Sequence, residues 1–383
     1  MKIMLIAGEA SGDYYGANLI KAIKELDSGI EFFGWGSKLM AREGLRVIFD
    51  PAEVSTVGFV EIIKKINFFK KWLERLEKVL IDEKPDCLVL IDFPGFNMRM
   101  AKIAHRLGIP CVYFIPPTAW AWGRGRAKKI AQSVDKVISI LPMEMPVYQE
   151  AGADITFVGH PLLDVIPQAL DREKACEELG LNAKKPVLTI LPGSRKQEIN
   201  SFLPLILEAV KSLKEKNSEL QLVMGLAPTV DKVKIAEKCA TRDIEIKIIE
   251  GKTHEAIAAS TACLCAGGTV TLETALLERP MVIVYRLSNL TFALVKLLVK
   301  VDFFTLPNLI LQKRAVPELI QKEFTAENIE LQLQPLLENA EPDSSVVTEL
   351  KKVRARLGLG GAFEKTAQIV WEVASVAGSH NYK

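Results

Sequence analysis

The feature that most constrains this chain is a pattern that runs once and then starts again. Short, nearly continuous apolar runs alternate with helical segments at residues 2–7, 87–91, 111–114 and 136–140. A second series follows at 187–191, 220–225, 244–249, 262–265 and 281–285. Runs of four to eight apolar residues separated by helices are the mark of buried parallel strands joined by βαβ crossovers. A single such core does not need 383 residues, whereas two ordinary α/β domains do. The expected class is therefore α/β, with two Rossmann-like domains facing across a cleft. The stretch 160–185, with two prolines and a polar segment, holds the junction. The expected domains are 1–167 and 168–342, followed by 343–383 as C-terminal helices that cross back onto the first domain or are exchanged with a partner.

Composition removes several classes of function. Apolar residues make up 49% and charged residues 25%, as in a globular protein. A formal net charge of +2 gives no general reason to expect nucleic acid as a partner. The six cysteines lack paired zinc spacing and fit buried, reduced thiols in a cytoplasmic protein. No Asp-x-Asp occurs and the four histidines are scattered, so no metal site and no cofactor is expected. No apolar run has the length of a membrane span, and the first run leads straight into a glycine turn, as a first strand does rather than a signal peptide.

Chemistry concentrates where strands end. Gly8-Glu9-Ala10-Ser11-Gly12-Asp13 follows the first run and opens a helix. Small residues there let a ligand approach the backbone and the helix N-terminus, while a plain βα turn capped by Ser11 or Asp13 is a serious alternative. Asp92 ends the run 87–91 and precedes Phe93, Pro94 and Phe96. A carboxylate among rings suits a general base, and a helix-capping aspartate has equal standing on these residues alone. Pro192-Gly193-Ser194-Arg195 repeats the glycine turn in the second series, with an arginine able to bind a diphosphate bidentately. Gly267-Gly268-Thr269 forms another such turn, and Glu273, one helical turn on, is placed to accept hydrogen bonds from a ribose. Simple capping by Thr269 or Thr271 is the competing account.

Together these motifs resemble the lipid-A-disaccharide synthase family, inverting glycosyltransferases of the two-Rossmann (GT-B) type. The matching pieces are AGEASGD (7–13), IDFPGFN (91–97), PPTAWAW (116–122), VGHP (158–161), LPGSR (191–195), GGTVTLE (267–273) and LPNL (306–309), in family order along most of the chain. One departure is Gly95, where many members carry an acidic residue. The resemblance implies UDP-2,3-diacylglucosamine as donor and 2,3-diacylglucosamine 1-phosphate as acceptor, giving a β-1,6-linked disaccharide 1-phosphate and UDP. It places family functional positions on Glu9, Ser11, Asp92, Arg195, Glu273 and Asn308, with Gly12 and the two glycine turns of the second series around them. Asp92 and Arg195 are then the catalytic pair, and a homodimer is implied as a further partner.

Lipid substrates call for an apolar approach. Residues 54–80 carry a broad apolar face that includes Phe69 and is flanked by Phe68 and Trp72, with lysines interleaved. Such a helix either lies on an anionic membrane or packs on its own sheet with solvated lysines. Residues 290–311 form a second apolar, lysine-dotted stretch leading to Asn308. The competing functions are a UDP-N-acetylglucosamine 2-epimerase of the same architecture, which acts on a soluble sugar, and a non-catalytic, membrane-associated nucleotide-sugar sensor. The expected location is cytoplasmic, peripheral on the inner face of the inner membrane.

Overall fold

A computed structural model describes all residues except 9, 51–61, 121–124, 168–169, 228–229, 289–291, 293–301, 339–344 and 381–383. The chain divides into two compact units, Met1–Asp164 with Gly358–Lys383, and Val165–Leu357. Each is built on one all-parallel sheet. The first has seven strands, β1 (Lys2–Ala7), β2 (Glu31–Trp35), β3 (Arg46–Phe49), β4 (Cys87–Ile91), β5 (Cys111–Phe114), β6 (Lys136–Ser139) and β7 (Ile155–Phe157), in the order β3-β2-β1-β4-β5-β6-β7. The second has six, β8 (Val187–Leu191), β9 (Gln221–Leu226), β10 (Lys247–Glu250), β11 (Ala262–Ala266), β12 (Met281–Tyr285) and β13 (Glu318–Ile320), in the order β10-β9-β8-β11-β12-β13.

The central strands are the unbroken apolar runs. Every residue of β4, β8 and β11 is buried, because crossover helices cover both faces of a parallel sheet. The edge strand β10 is different: Lys247 and Glu250 are exposed at its two ends, which discourages pairing with another chain. Both orders share one topological property. Connections leave β1 in one direction and resume from β4 in the other, and the same reversal separates β8 from β11. At such switch points the loops at the strands' carboxyl ends diverge and leave a crevice for ligands. The register pairs Ala7 with Ile91 across the first reversal and Leu191 with Cys265 across the second.

The C-terminal helices depart from expectation. Ser345–Arg356 belongs to the second unit, where Arg354 donates to the carbonyls of Ile166 and Leu276 and Arg356 to that of Ile310. Only Ala362–His380 packs on the first unit, against the helix Ala10–Leu26 of its own chain. Asp164 anchors its start by accepting from the backbone N–H groups of Gly361 and Ala362 at 2.6 and 2.9 Å.

Candidate active site

Four of the sequence-predicted turns fall at the two switch points. The Gly8 turn follows β1 and Asp92 follows β4. Pro192–Arg195 follows β8 and Gly267-Gly268 follows β11. Because β1–β4 and β8–β11 are neighbours in register, each pair of turns is side by side.

In the first unit the chain makes an elbow after β4. Asp92 and Phe93 have φ of +48° and +50°, a left-handed conformation that costs a non-glycine residue about 1–2 kcal/mol. The surroundings hold it in place. Buried Asn97 donates from Nδ2 to the carbonyl oxygens of Asp92 at 2.8 Å and Ile91 at 3.2 Å, and the Tyr113 hydroxyl donates to Asp92 O at 2.9 Å. Gly8 is required on the facing turn, since a Cβ there would lie 2.2 Å from Cγ of the Phe93 ring. Asp92 is thus a half-buried carboxylate on a braced elbow, bordered by Phe93 and Phe96 stacked at 5.6 Å. Strain of this kind gathers at functional sites.

A second carboxyl stands near it. Glu144, after β6, is buried and contacts the Ser139 hydroxyl. Burial, with the charge of Asp92 adding to it against the Ser139 bond, pushes its pKa up to about 8. Ser139 Oγ also donates to Leu141 O at 2.8 Å and accepts from Leu141 N at 3.1 Å, so it is shared between the backbone and Glu144. Glu144 is therefore a neutral acid beside Asp92. Neither Glu144, Asn97 nor Tyr113 was marked as functional by the sequence.

The rest of the Gly8 turn is mixed. Ser11 is exposed and Gly12 buried, and Glu9 lies outside the described residues. Asp13 does not cap its own helix. It is 5% exposed and accepts from the backbone N–H groups of Ser37 at 2.7 Å and Leu39 at 3.0 Å.

In the second unit the positive-φ positions at the turns are glycines, Gly193 at +104° and Gly268 at +156°. The helices that start here are Lys196–Lys216, with Arg195 at its N-cap, and Thr269–Leu276, with Gly268. Neither cap residue makes a side-chain hydrogen bond to the first turn. Asp171 and Asp231 cap two other helices of this unit, each accepting from two N–H groups, while the helices that start at Thr253 and Leu306 also lack a side-chain cap. A helix N-terminus without a capping carboxylate has N–H groups and a dipole that suit an anion. Capping by Thr269 or Thr271 is not what holds the second turn: Thr269 is exposed, and Thr271 Oγ1 donates back to Gly268 O at 2.8 Å.

Arg195 has its side chain 73% exposed. It pairs with Glu198 at 2.8 Å and reaches Tyr285 at the end of β12, a residue without a flag in the sequence. Tyr285 backs directly onto Gly267, where a Cβ would meet its ring at 3.1 Å. Pro192 is buried, Gly193 half-buried and Ser194 exposed. Glu273 is half-buried, and its Oε2 is 3.0 Å from His254 Nε2. That bond raises the His254 pKa.

Two expectations change. Asn308 is fully buried, donates to Val316 O at 2.9 Å and accepts from the N–H groups of Ala315 and Val316. Its amide locks its own segment. Phe68, Phe69 and Trp72, expected as membrane or acyl contacts, pack toward the first sheet. Trp72 is 4.1 Å from Phe49 between ring centroids, Phe68 is 5.7 Å from Phe49, and Phe69 is 5.9 Å from Phe93. For residues 68–83 the helix is a packed one, with Lys70, Lys71, Arg75 and Lys78 exposed. Residues 54–61 of that stretch, and 290–291 and 293–301 of the later one, lie outside the described residues, as does Trp122.

Among the described residues, no three His, Cys, Asp or Glu side chains gather as metal ligands, and no helix is long and apolar enough to cross a membrane. All six cysteines are buried and none is in a disulfide.

The model of the lipid-A-disaccharide synthetase family matches residues 3–370. The chain belongs to the lipid-A-disaccharide synthase family. It is 40% identical over 369 residues to the lipid-A-disaccharide synthase of Trichlorobacter lovleyi, covering 96% of both chains. It is 38% identical over 372 residues to that of Myxococcus xanthus, covering 97% of both. Among solved structures, the UDP-GlcNAc 2-epimerase of Neisseria meningitidis bound to UDP-GlcNAc has a TM-score of 0.65 at 12% identity, over 97% of this chain and 100% of that one. MurG of Acinetobacter baumannii has a TM-score of 0.61 at 14% identity, over 97% and 99%. At such identities the likeness is one of fold, the GT-B arrangement of two Rossmann-like units. The sequence relatives favour neither the epimerase nor the sensor. A lipid-A-disaccharide synthase is a glycosyltransferase, and this chain is one.

Proposed function

We propose that the enzyme transfers 2,3-diacylglucosamine from UDP to the 6-hydroxyl of 2,3-diacylglucosamine 1-phosphate, with inversion and without a metal ion. The observation that carries this reading is the division of chemistry between the switch points: a braced carboxylate beside rings in one unit, two uncapped helix N-termini with an arginine in the other. Asp92 takes the proton from the acceptor's O6 as that oxygen attacks the anomeric carbon. The bond from this carbon to the diphosphate breaks, and its electron pair leaves on UDP. Arg195 and the N–H groups at Gly193–Lys196 and Gly268–Val270 receive the growing negative charge. Glu273 accepts hydrogen bonds from the ribose. One-step displacement from the face opposite UDP gives the β linkage.

The acyl chains meet the half-buried ring of Phe93 beside Asp92. Contact with the anionic inner face of the membrane falls to the exposed cations of the helix Ile62–Glu83 rather than to its rings. Flotation with anionic liposomes tests that part, and Lys70→Glu with Lys71→Glu should weaken it; equal flotation of variant and wild type removes it.

The central test is incubation with both diacylated substrates in chelator. Formation of the disaccharide 1-phosphate with a β anomeric signal by NMR is expected. An α product, or activity that returns only on adding a divalent ion, overturns the corresponding part of the mechanism.

A further inference from the structure

We infer that His254 is a positioning residue of the nucleotide site and that, acting through Glu273, it sets a preference for ribose over 2-deoxyribose in the nucleotide. The inference rests on the reading above, in which Glu273 receives the ribose hydroxyls.

His254 stands in the first turn of the helix Thr253–Ala259. That helix is a fixed platform. Ala256, Ile257, Ala258 and Ala259 are all buried, and Thr189, inside β8, donates from its hydroxyl to Ala256 O at 2.8 Å. Glu273 is on a different element, the helix that opens at the Gly268 turn. The 3.0 Å contact between Nε2 and Oε2 therefore ties a side chain at the switch point to a support outside it. The two side chains are 30% and 20% exposed, so the pair is partly sheltered but open to a ligand.

The chemistry of the pair follows from counting lone pairs. A carboxylate has four acceptor sites. His254 uses one on Oε2, which fixes the rotation of the group and leaves Oε1 and the second site of Oε2 in a set orientation. A ribose offers two neighbouring hydroxyls and needs two acceptors in one plane. Removing the 2′-hydroxyl forfeits one of those bonds and leaves the oriented acceptor unused. Without His254 the carboxylate turns freely, and ordering it on binding costs part of what the second hydroxyl contributes. A bond that only held two helices together would not distinguish the two sugars.

The test measures UDP and dUDP affinity by calorimetry for the wild type, His254→Ala, His254→Gln, Glu273→Ala and the double alanine variant. Wild type is expected to prefer UDP by about tenfold. His254→Ala should lose most of that preference by weakening UDP while leaving dUDP nearly unchanged. It should add nothing in the Glu273→Ala background. His254→Gln, whose amide still donates, should restore most of the preference, and kcat at saturating donor should change less than the donor KM. Equal weakening of UDP and dUDP by His254→Ala, or additive losses in the double variant, overturns the inference alone. UDP affinity unchanged in Glu273→Ala overturns the ribose reading, and the inference with it.

Discussion

The two units have the same topology and place glycine turns at the same point, yet they use that point in opposite ways. In the first, the positive-φ positions after the central strand are Asp92 and Phe93, residues that must be held there by Asn97 and Tyr113. Its nearby titratable groups are shielded: Glu144 is buried and protonated. In the second, glycines supply the unusual backbone, and the charge is carried by the exposed Arg195 and by a sheltered pair, Glu273 with His254. Strain and burial fix one reactive group and tune its surroundings, whereas helix N-termini and an exposed guanidinium suit a charged ligand that must enter and leave. A shared fold has been given a chemical end and a binding end.

The largest effect that would break this division comes from Asp92→Asn. Turnover should fall by roughly a hundredfold to ten-thousandfold, the usual worth of a general base, while calorimetric UDP affinity stays near wild type. Normal turnover would leave the first unit without its chemistry. Next is a stability effect confined to the first unit. His160 is 3% exposed, its Nδ1 accepts from Leu162 N at 3.1 Å, and burial lowers its pKa from 6.5 to about 4. The unfolded chain takes up a proton on this residue below pH 6.5 and the folded one only near 4. Stability present above pH 6.5 is therefore lost as the pH falls through that window. At about 1.4 kcal/mol per pH unit the loss is on the order of 3 kcal/mol. His160→Asn, which keeps an acceptor for Leu162 N, should flatten the acid side of the curve of melting temperature against pH. An unaltered acid limb counts against a buried neutral imidazole.

A smaller change is expected in the second unit. Arg195→Ala should weaken UDP by about ten- to a hundredfold, and Arg195→Lys should recover only part of it because a point charge lacks the planar fork. If UDP affinity holds and only turnover falls, Arg195 acts on the transition state and the binding end has a share in the chemistry.

How much of this was legible depended on burial. The nine long apolar runs announce themselves because a strand covered on both faces has no polar positions to mask it. β2, β3, β7 and β13 are not legible: they lie at or next to the sheet edges, where Glu31, Arg46 and Val47 face solvent and blur the signal. The glycine turns and Asp92 were readable because backbone needs restrict residue choice sharply. Tyr285, Asn97 and His254 were not, since each acquires its role from a neighbour distant in sequence. Asn308 shows another side of this: the motif places it toward a ligand, and only the structure shows its amide engaged by the turn 308–316. The rings of Phe68, Phe69 and Trp72 likewise had two faces available to them in the sequence, and the aromatic cluster around Trp35 decided it.

The smallest effect at neutral pH, and the sharpest probe of the shielded end, concerns Glu144. Its folded pKa is raised to about 8 from 4.5, so the stability carried by the protonated form is full below pH 4.5 and is lost as the pH rises through about 8. Ionisation there also puts a second negative charge near Asp92 and leaves the Ser139 hydroxyl serving Leu141 O and a carboxylate with one proton. Wild-type kcat/KM should therefore decline on the alkaline side with a midpoint near pH 8. Glu144→Gln imitates the neutral acid: it should turn over at neutral pH within a few-fold of wild type and lose that alkaline limb, with the melting temperature flattening over the same range. A limb identical in both proteins would mean that Glu144 and Asp92 do not sense each other, and the first unit's chemistry would then rest on the strained elbow without a tuned neighbour.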